Sequence, residues 1–148
     1  MTFCDSSFLV SLFVETDAMH ESARKIAQRF TAPMPYTLLG ELEMLNALNR
    51  GVGEGALDLA DYDKALRGIA DDESAGFLER LTINQIKHFE KARQLSKRFT
   101  GQLFCRSLDL LQVAAALVLG ADTFVTFDSK QARLAAASGL KVIPRHPQ

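Results

Sequence analysis

Apolar residues fall along this chain in two alternating patterns: short unbroken runs, and longer segments in which they return every three or four positions. Residues 2–4 form a short apolar run that predicts a strand, and Ser7–Glu15 (SFLVSLFVE) has helical spacing with Ser6 or Ser7 available as N-cap. Met19–Phe30 predicts an amphipathic helix whose basic residues come late, where the helix dipole favours them. Pro33 and Pro35 interrupt it, Met34–Leu39 reads as a second strand, and Gly40–Arg50 as a helix ended by the glycines at 51, 53 and 55.

Residues 54–75 read as an acidic helical segment of weaker periodicity, with Asp71-Asp72-Glu73 as a solvated loop. A third strand is expected over 76–83, then a helix over Asn84–Phe99 capped by Asn84. Ser107–Leu119 (SLDLLQVAAALVL) is apolar on most sides, capped by Ser107 and stopped at Gly120. The final unit is strand 123–127, helix 129–138 with Gly139 at its C-terminus, and strand 140–143. Strands alternating with helices of this length predict an α/β domain with a mainly parallel sheet, filling residues 1–148 without linker or repeat.

Composition adds limits. Hydrophobic residues make up 47% and charged residues 24% of 148, which suits one globular domain. No apolar run approaches the ~20 residues that span a bilayer, and the opening residues lack a secretory pattern, so a cytoplasmic protein without membrane contact is expected. Cys4 and Cys105 have no partner spacing and read as buried free thiols. Net charge is −1, from 17 basic and 18 acidic residues, so overall charge gives no support for nucleic-acid binding.

Two strands end on an acid followed by serine: "TFCDSS" at Asp5 and "FVTFDSK" at Asp128. Ligands of parallel sheets bind beyond the carboxyl ends of strands. If the two strands are neighbours, both carboxylates face one crevice. Each also reads equally well as an N-cap. Asp109, in the first turn of its helix, reads equally as an acid stabilised by the helix dipole and as a site residue, since it shares a face with Gln112, Val113 and Ala116 that should lie near the sheet. Glu41 and Glu43 stand about 200° apart on their helix, so only one faces a given site. Glu43, beside Asn46, Ala47 and Arg50, has the more polar face. Carboxylates converging on one crevice need a cation. Oxygen donors select Mg²⁺ or Mn²⁺, and such a set supports metal-assisted phosphodiester hydrolysis. His20, His88 and His146 read as scattered surface residues, leaving no competing zinc set. Arg50, Arg106, Lys130 and Arg133 read individually as solvated groups that might also hold RNA.

These stretches resemble the PIN-domain family, and within it the small VapC-type ribonuclease toxins. "FCDSSFLVSLF" is similar to the family's opening strand, first acid and adjacent hydroxyl residue. "ELEMLNAL" is similar to its second motif and selects Glu43, in agreement with the helical face. The most specific block is "SLDLLQVAAALVLGADTFVTFDSKQARLAAASGLKVI", with Asp109, an alanine-rich helix, Gly-Ala-Asp and Thr-Phe-Asp in order. The resemblance implies a three-layer α/β/α sandwich around a parallel sheet of about five strands. It also implies an acidic pocket of Asp5, Glu43, Asp109 and Asp128 holding Mg²⁺ or Mn²⁺, with Ser7 and Thr126 orienting it. The implied activity is endoribonuclease cleavage of RNA; the implied partners are a small antitoxin and a second copy of the chain. Gln112 stands where many relatives carry His.

Three alternatives stay open: a PIN-fold RNA-processing nuclease without an antitoxin, a degenerate binding module without catalysis, and an aspartyl-nucleophile phosphatase. The last is weakened by Ser7, which stands where such enzymes need a second acid.

Overall fold

The computed structural model describes residues 1–145. The chain divides into two compact units, one of residues 1–5 together with the chain from Thr82 onward, the other contiguous over residues 6–81.

In the discontinuous unit, strands β1 (Thr2–Cys4), β4 (Thr123–Val125) and β5 (Lys141–Ile143) make one parallel sheet in the order β1-β4-β5. Cys4 stands opposite Val125, and Val125 opposite Ile143. Phe3 and Phe124 are fully buried neighbours in this sheet, with rings stacked 5.8 Å apart. Burying each stabilises the fold by roughly 1.5–3 kcal/mol. Helix α7 (Ser107–Val118) supplies the rest of that core through Val113, Ala114, Ala115 and Ala116, all at 0% exposure. Four small or β-branched residues in a row leave no polar side, so this helix is packed nearly all round, as its sequence predicts. Its cap is Arg106 rather than Ser107, which is already helical.

Helix α5 (Gln85–Leu95) starts at Asn84, whose side chain accepts the Lys87 N–H at 3.0 Å. It widens into a π-helical turn over Ser96–Thr100, and a single turn, α6 (Gly101–Leu103), follows. Helix α8 (Ser129–Ala137) ends as expected, with Gly139 at φ +90.

The contiguous unit holds α1 (Ser6–Phe13), α2 (His20–Ala27), β2 (Met34–Tyr36), α3 (Leu38–Gly53), α4 (Leu59–Ala75) and β3 (Leu78–Arg80). β2 and β3 pair in parallel as a separate two-stranded ladder. The five parallel strands among the described residues therefore form ladders of three and two, where one sheet of about five was expected. Pro35 lacks the N–H to bond on both sides, which suits a two-stranded ladder.

Several expected boundaries shift here: the strand expected to run to Leu39 ends at Tyr36, and Leu38 already belongs to α3. Helix α3 runs past Arg50 through Gly51, whose carbonyl then accepts the N–H groups of Ala56 and Leu57. A Cβ at Gly51 would stand 3.2 Å from Leu57 Cβ, a tight contact set by the close return of the chain. The acidic run Asp71-Asp72-Glu73 is the last turn of α4 rather than a loop. Asp58 caps this helix by accepting the Asp61 N–H at 2.7 Å, and Gly76 closes it in the left-handed region. Its core side meets Val14, Leu48 and Leu57 through Ala65.

Candidate active site

Because β1 and β4 are adjacent and parallel, the residues just past their carboxyl ends meet. The Asp5 N–H donates to the Val125 carbonyl at 3.0 Å, extending the ladder by one step. Its carboxylate is wholly buried. The Thr126 hydroxyl, buried too, donates to Asp5 Oδ2 at 2.6 Å and accepts the Asp128 N–H at 2.9 Å. The first contact has the length of a charge-assisted bond. The second is a local turn of the kind Ser and Thr make with the backbone two residues on.

Asp128 divides its two oxygens between two tasks. Oδ1 caps α8, accepting the N–H groups of Lys130 at 2.7 Å and Gln131 at 3.1 Å. Oδ2 lies 3.7 Å from Arg106 Nη2. The capping reading is thus correct for this acid, and one oxygen still faces a cation.

Asp109 is buried on the inner face of α7 with Gln112, Val113 and Ala116, as the helical face predicts. Its Oδ2 accepts both the backbone N–H of Arg106 at 3.0 Å and Nε at 3.2 Å, while Oδ1 accepts from Nη2 at 3.3 Å. A planar guanidinium fork suits this two-oxygen grip. Asp5, Thr126, Asp128, Arg106 and Asp109 therefore form one continuous chain of polar contacts.

Glu43 belongs to the contiguous unit, where the Ser6 hydroxyl donates to its Oε2 at 3.4 Å. Glu41 instead forms a two-oxygen pair with Arg80 at 3.1 and 3.2 Å. That pairing separates the two glutamates in the way their helical faces predict. Ser7 is half-buried in α1; the hydroxyl beside Glu43 is that of Ser6, which sequence reasoning treated only as a cap.

Among the described residues, no group of three or more His, Cys, Asp or Glu side chains closes on a common metal position. The donor chemistry nonetheless fits a hard divalent cation: oxygen ligands only, with a positive side chain bridging two of them. Arg106, read from sequence as a surface residue, supplies that positive charge. No sequence signal distinguished it from other exposed arginines, because its role depends on where α7 begins.

His88 is a correction. It is buried, not on the surface, and its Nε2 donates to the Leu111 carbonyl at 2.7 Å. Its spacing with Ala92 and Leu95 marks the buried face of α5. His146 lies outside the described residues. Cys4 is buried as expected, whereas Cys105 is only partly so. Burial, and then the neighbouring Asp5, push the Cys4 thiol well above its ordinary range, leaving it inert.

Comparison with known proteins places these observations in a family. The chain is similar in structure to the Mycobacterium tuberculosis toxin VapC20, described as cleaving the Sarcin-Ricin loop, with a TM-score of 0.69, 21% identity, and coverage of 97% of this chain and 100% of that one. PAE2754 from Pyrobaculum aerophilum matches at TM-score 0.57 and 17% identity, covering 96% of this chain and 88% of that one. VapBC-1 from nontypeable Haemophilus influenzae matches at TM-score 0.57 and 16% identity, covering 95% of each. No curated protein sequence matches. No helix among the described residues is long and apolar enough to cross a membrane. The PIN domain family model matches residues 2–137, spanning nearly the whole sequence and the acids at 5, 43, 109 and 128, and the chain belongs to the PIN domain family.

Proposed function

We propose that this protein is a Mg²⁺- or Mn²⁺-dependent endoribonuclease and the toxin of a toxin–antitoxin pair, with residues 1–148 working as one nuclease domain. The observation that carries this reading is the chain of contacts from Asp5 through Thr126, Asp128 and Arg106 to Asp109. Buried carboxylates held in fixed orientations beside an exposed guanidinium suit a cation and a phosphodiester together. The likeness to VapC20, described as a Sarcin-Ricin loop cleaving toxin, supports the substrate class.

In this reading Asp5, Glu43 and Asp109 hold the cation, and Asp128 supports it through Oδ2. When bound, the cation polarises water and the scissile phosphate. Thr126 fixes the rotamer of Asp5, so that the carboxylate is oriented before substrate arrives. Arg106 neutralises Asp109 and Asp128 in the free protein, and its exposed guanidinium pairs with the substrate phosphate when RNA binds. Ser6 steadies Glu43, and Ser7 lines the same end of α1. A small antitoxin, a second copy of the chain and the cytoplasm complete the proposed setting.

The test is Mn²⁺-dependent cleavage of a structured RNA hairpin with mapping of the new ends. Asp5→Asn and Asp109→Asn should each lower the rate at least about 100-fold. Full cleavage by either variant would remove the assignment.

A further inference from the structure

We infer that Phe104 and Arg106 form a nucleotide subsite next to the acids, in which an unpaired base stacks on the Phe104 ring while its phosphate pairs with Arg106. This rests on the ribonuclease reading above and adds how the RNA is gripped.

Phe104 combines two properties that rarely occur together. Its backbone is left-handed, at φ 53 and ψ 46, a conformation costly for a bulky residue. Its side chain is 80% exposed, so no packing offsets that cost. The residues on either side are anchored: Leu103 and Cys105 both pack against the core under α7. The Phe104 N–H donates to the Thr100 carbonyl at 2.9 Å, closing the turn. The chain thus turns a single aromatic ring outward between two inward residues.

Two residues later Arg106 reaches Asp109 and Asp128, with 64% of its side chain exposed. An exposed ring two residues before an exposed guanidinium matches single-stranded nucleic acid, which needs a stacking face for each base and a cation for each phosphate. A protein partner would instead favour a broad apolar patch.

The test uses a roughly 12-nucleotide, fluorescein-labelled oligouridylate in EDTA, so that binding is read by anisotropy without cleavage. Phe104→Ala should weaken binding about 5- to 150-fold, and Phe104→Tyr should stay within about twofold. An oligomer with abasic positions should not distinguish Phe104→Ala from wild type. Arg106→Met should reduce the salt slope by about one, while Phe104→Ala leaves it unchanged. Phe104→Gly, which suits a left-handed backbone, is the second variant should Phe104→Ala unfold.

The proposal is overturned if wild type does not hold the oligomer, or if both Phe104→Ala and Phe104→Gly bind within twofold of it. It is also overturned if loss of the ring releases a co-purifying protein and spares RNA affinity. Where Asp5→Asn abolishes cleavage and loss of the ring changes nothing, the subsite alone fails. Where wild type cleaves no RNA, the ribonuclease reading fails with it.

Discussion

Thr126 and Asp5, 121 positions apart in the chain, share a 2.6 Å hydroxyl–carboxylate hydrogen bond in a fully buried setting. Thr126→Val keeps the shape and removes the donor, leaving a buried carboxylate short of a partner. The expected cost is about 1.5–3 kcal/mol in urea unfolding, with Thr126→Ser recovering most of it. Mn²⁺ affinity by calorimetry should fall in parallel for Val and not for Ser. Equal stability of the valine variant would mean that Asp5 does not depend on this hydroxyl.

Arg106 bridges Asp109 and Asp128 from a side chain that is mostly solvent-exposed. Asp109 is buried, however, so losing the guanidinium leaves an interior carboxylate short of its counter-charge. Arg106→Met should therefore cost about 1–3 kcal/mol in urea unfolding and tighten Mn²⁺ binding by up to about fivefold, since no internal cation competes. Weaker metal binding in this variant would show that the arginine organises the acids rather than occupying them.

Asp72 lies in the last turn of α4, which carries no basic residue there. Burial first, and then Asp71, raise its pKa. A raised acid pKa favours the protonated form in the folded state. The penalty is therefore absent in acid below the unfolded pKa and fully present above the folded one. Asp72→Asn should stabilise the protein at pH 7 by about 0.3–1 kcal/mol, less whatever solvent screens, and give no gain near pH 2. A gain that persists in acid would assign the effect to something other than charge.

His88 buries Nδ1 without a hydrogen-bond partner while Nε2 donates to Leu111. His88→Leu removes the unpaired nitrogen at similar volume, and the Leu111 carbonyl keeps its bond within α7. Chemical denaturation should show a change within about 1 kcal/mol of wild type. A loss above about 3 kcal/mol would give this imidazole a larger structural part than its contacts indicate.

The sequence made Asp5, Asp109 and Asp128 legible for different reasons. An apolar run ending on an acid marks a strand terminus, and the strand–helix order then places that acid at the carboxyl edge of the sheet. Asp109 was legible because its own helical face is small and apolar. The adjacency of β1 and β4 was only a condition, since pairing between distant strands leaves no local trace. The acidic run at 71–73 resembled a loop because charge at a helix end looks like solvation. Arg106 was legible only as one of four basic residues open to RNA, because an arginine carries no periodic signal; Phe104, of the proposed subsite, drew no notice, because its outward turn is a property of the backbone and not of the pattern.

The split of the chain also has a consequence for synthesis. Residues 6–81 are contiguous and emerge from the ribosome together, whereas Asp5 waits for Thr126, which is made 121 residues later. Long-range closure of this kind is the slow step in folding. A nascent or prematurely terminated chain thus carries the first acid before the Thr126 hydroxyl exists, and the bridged set of acids forms only once the chain through Asp128 has been made.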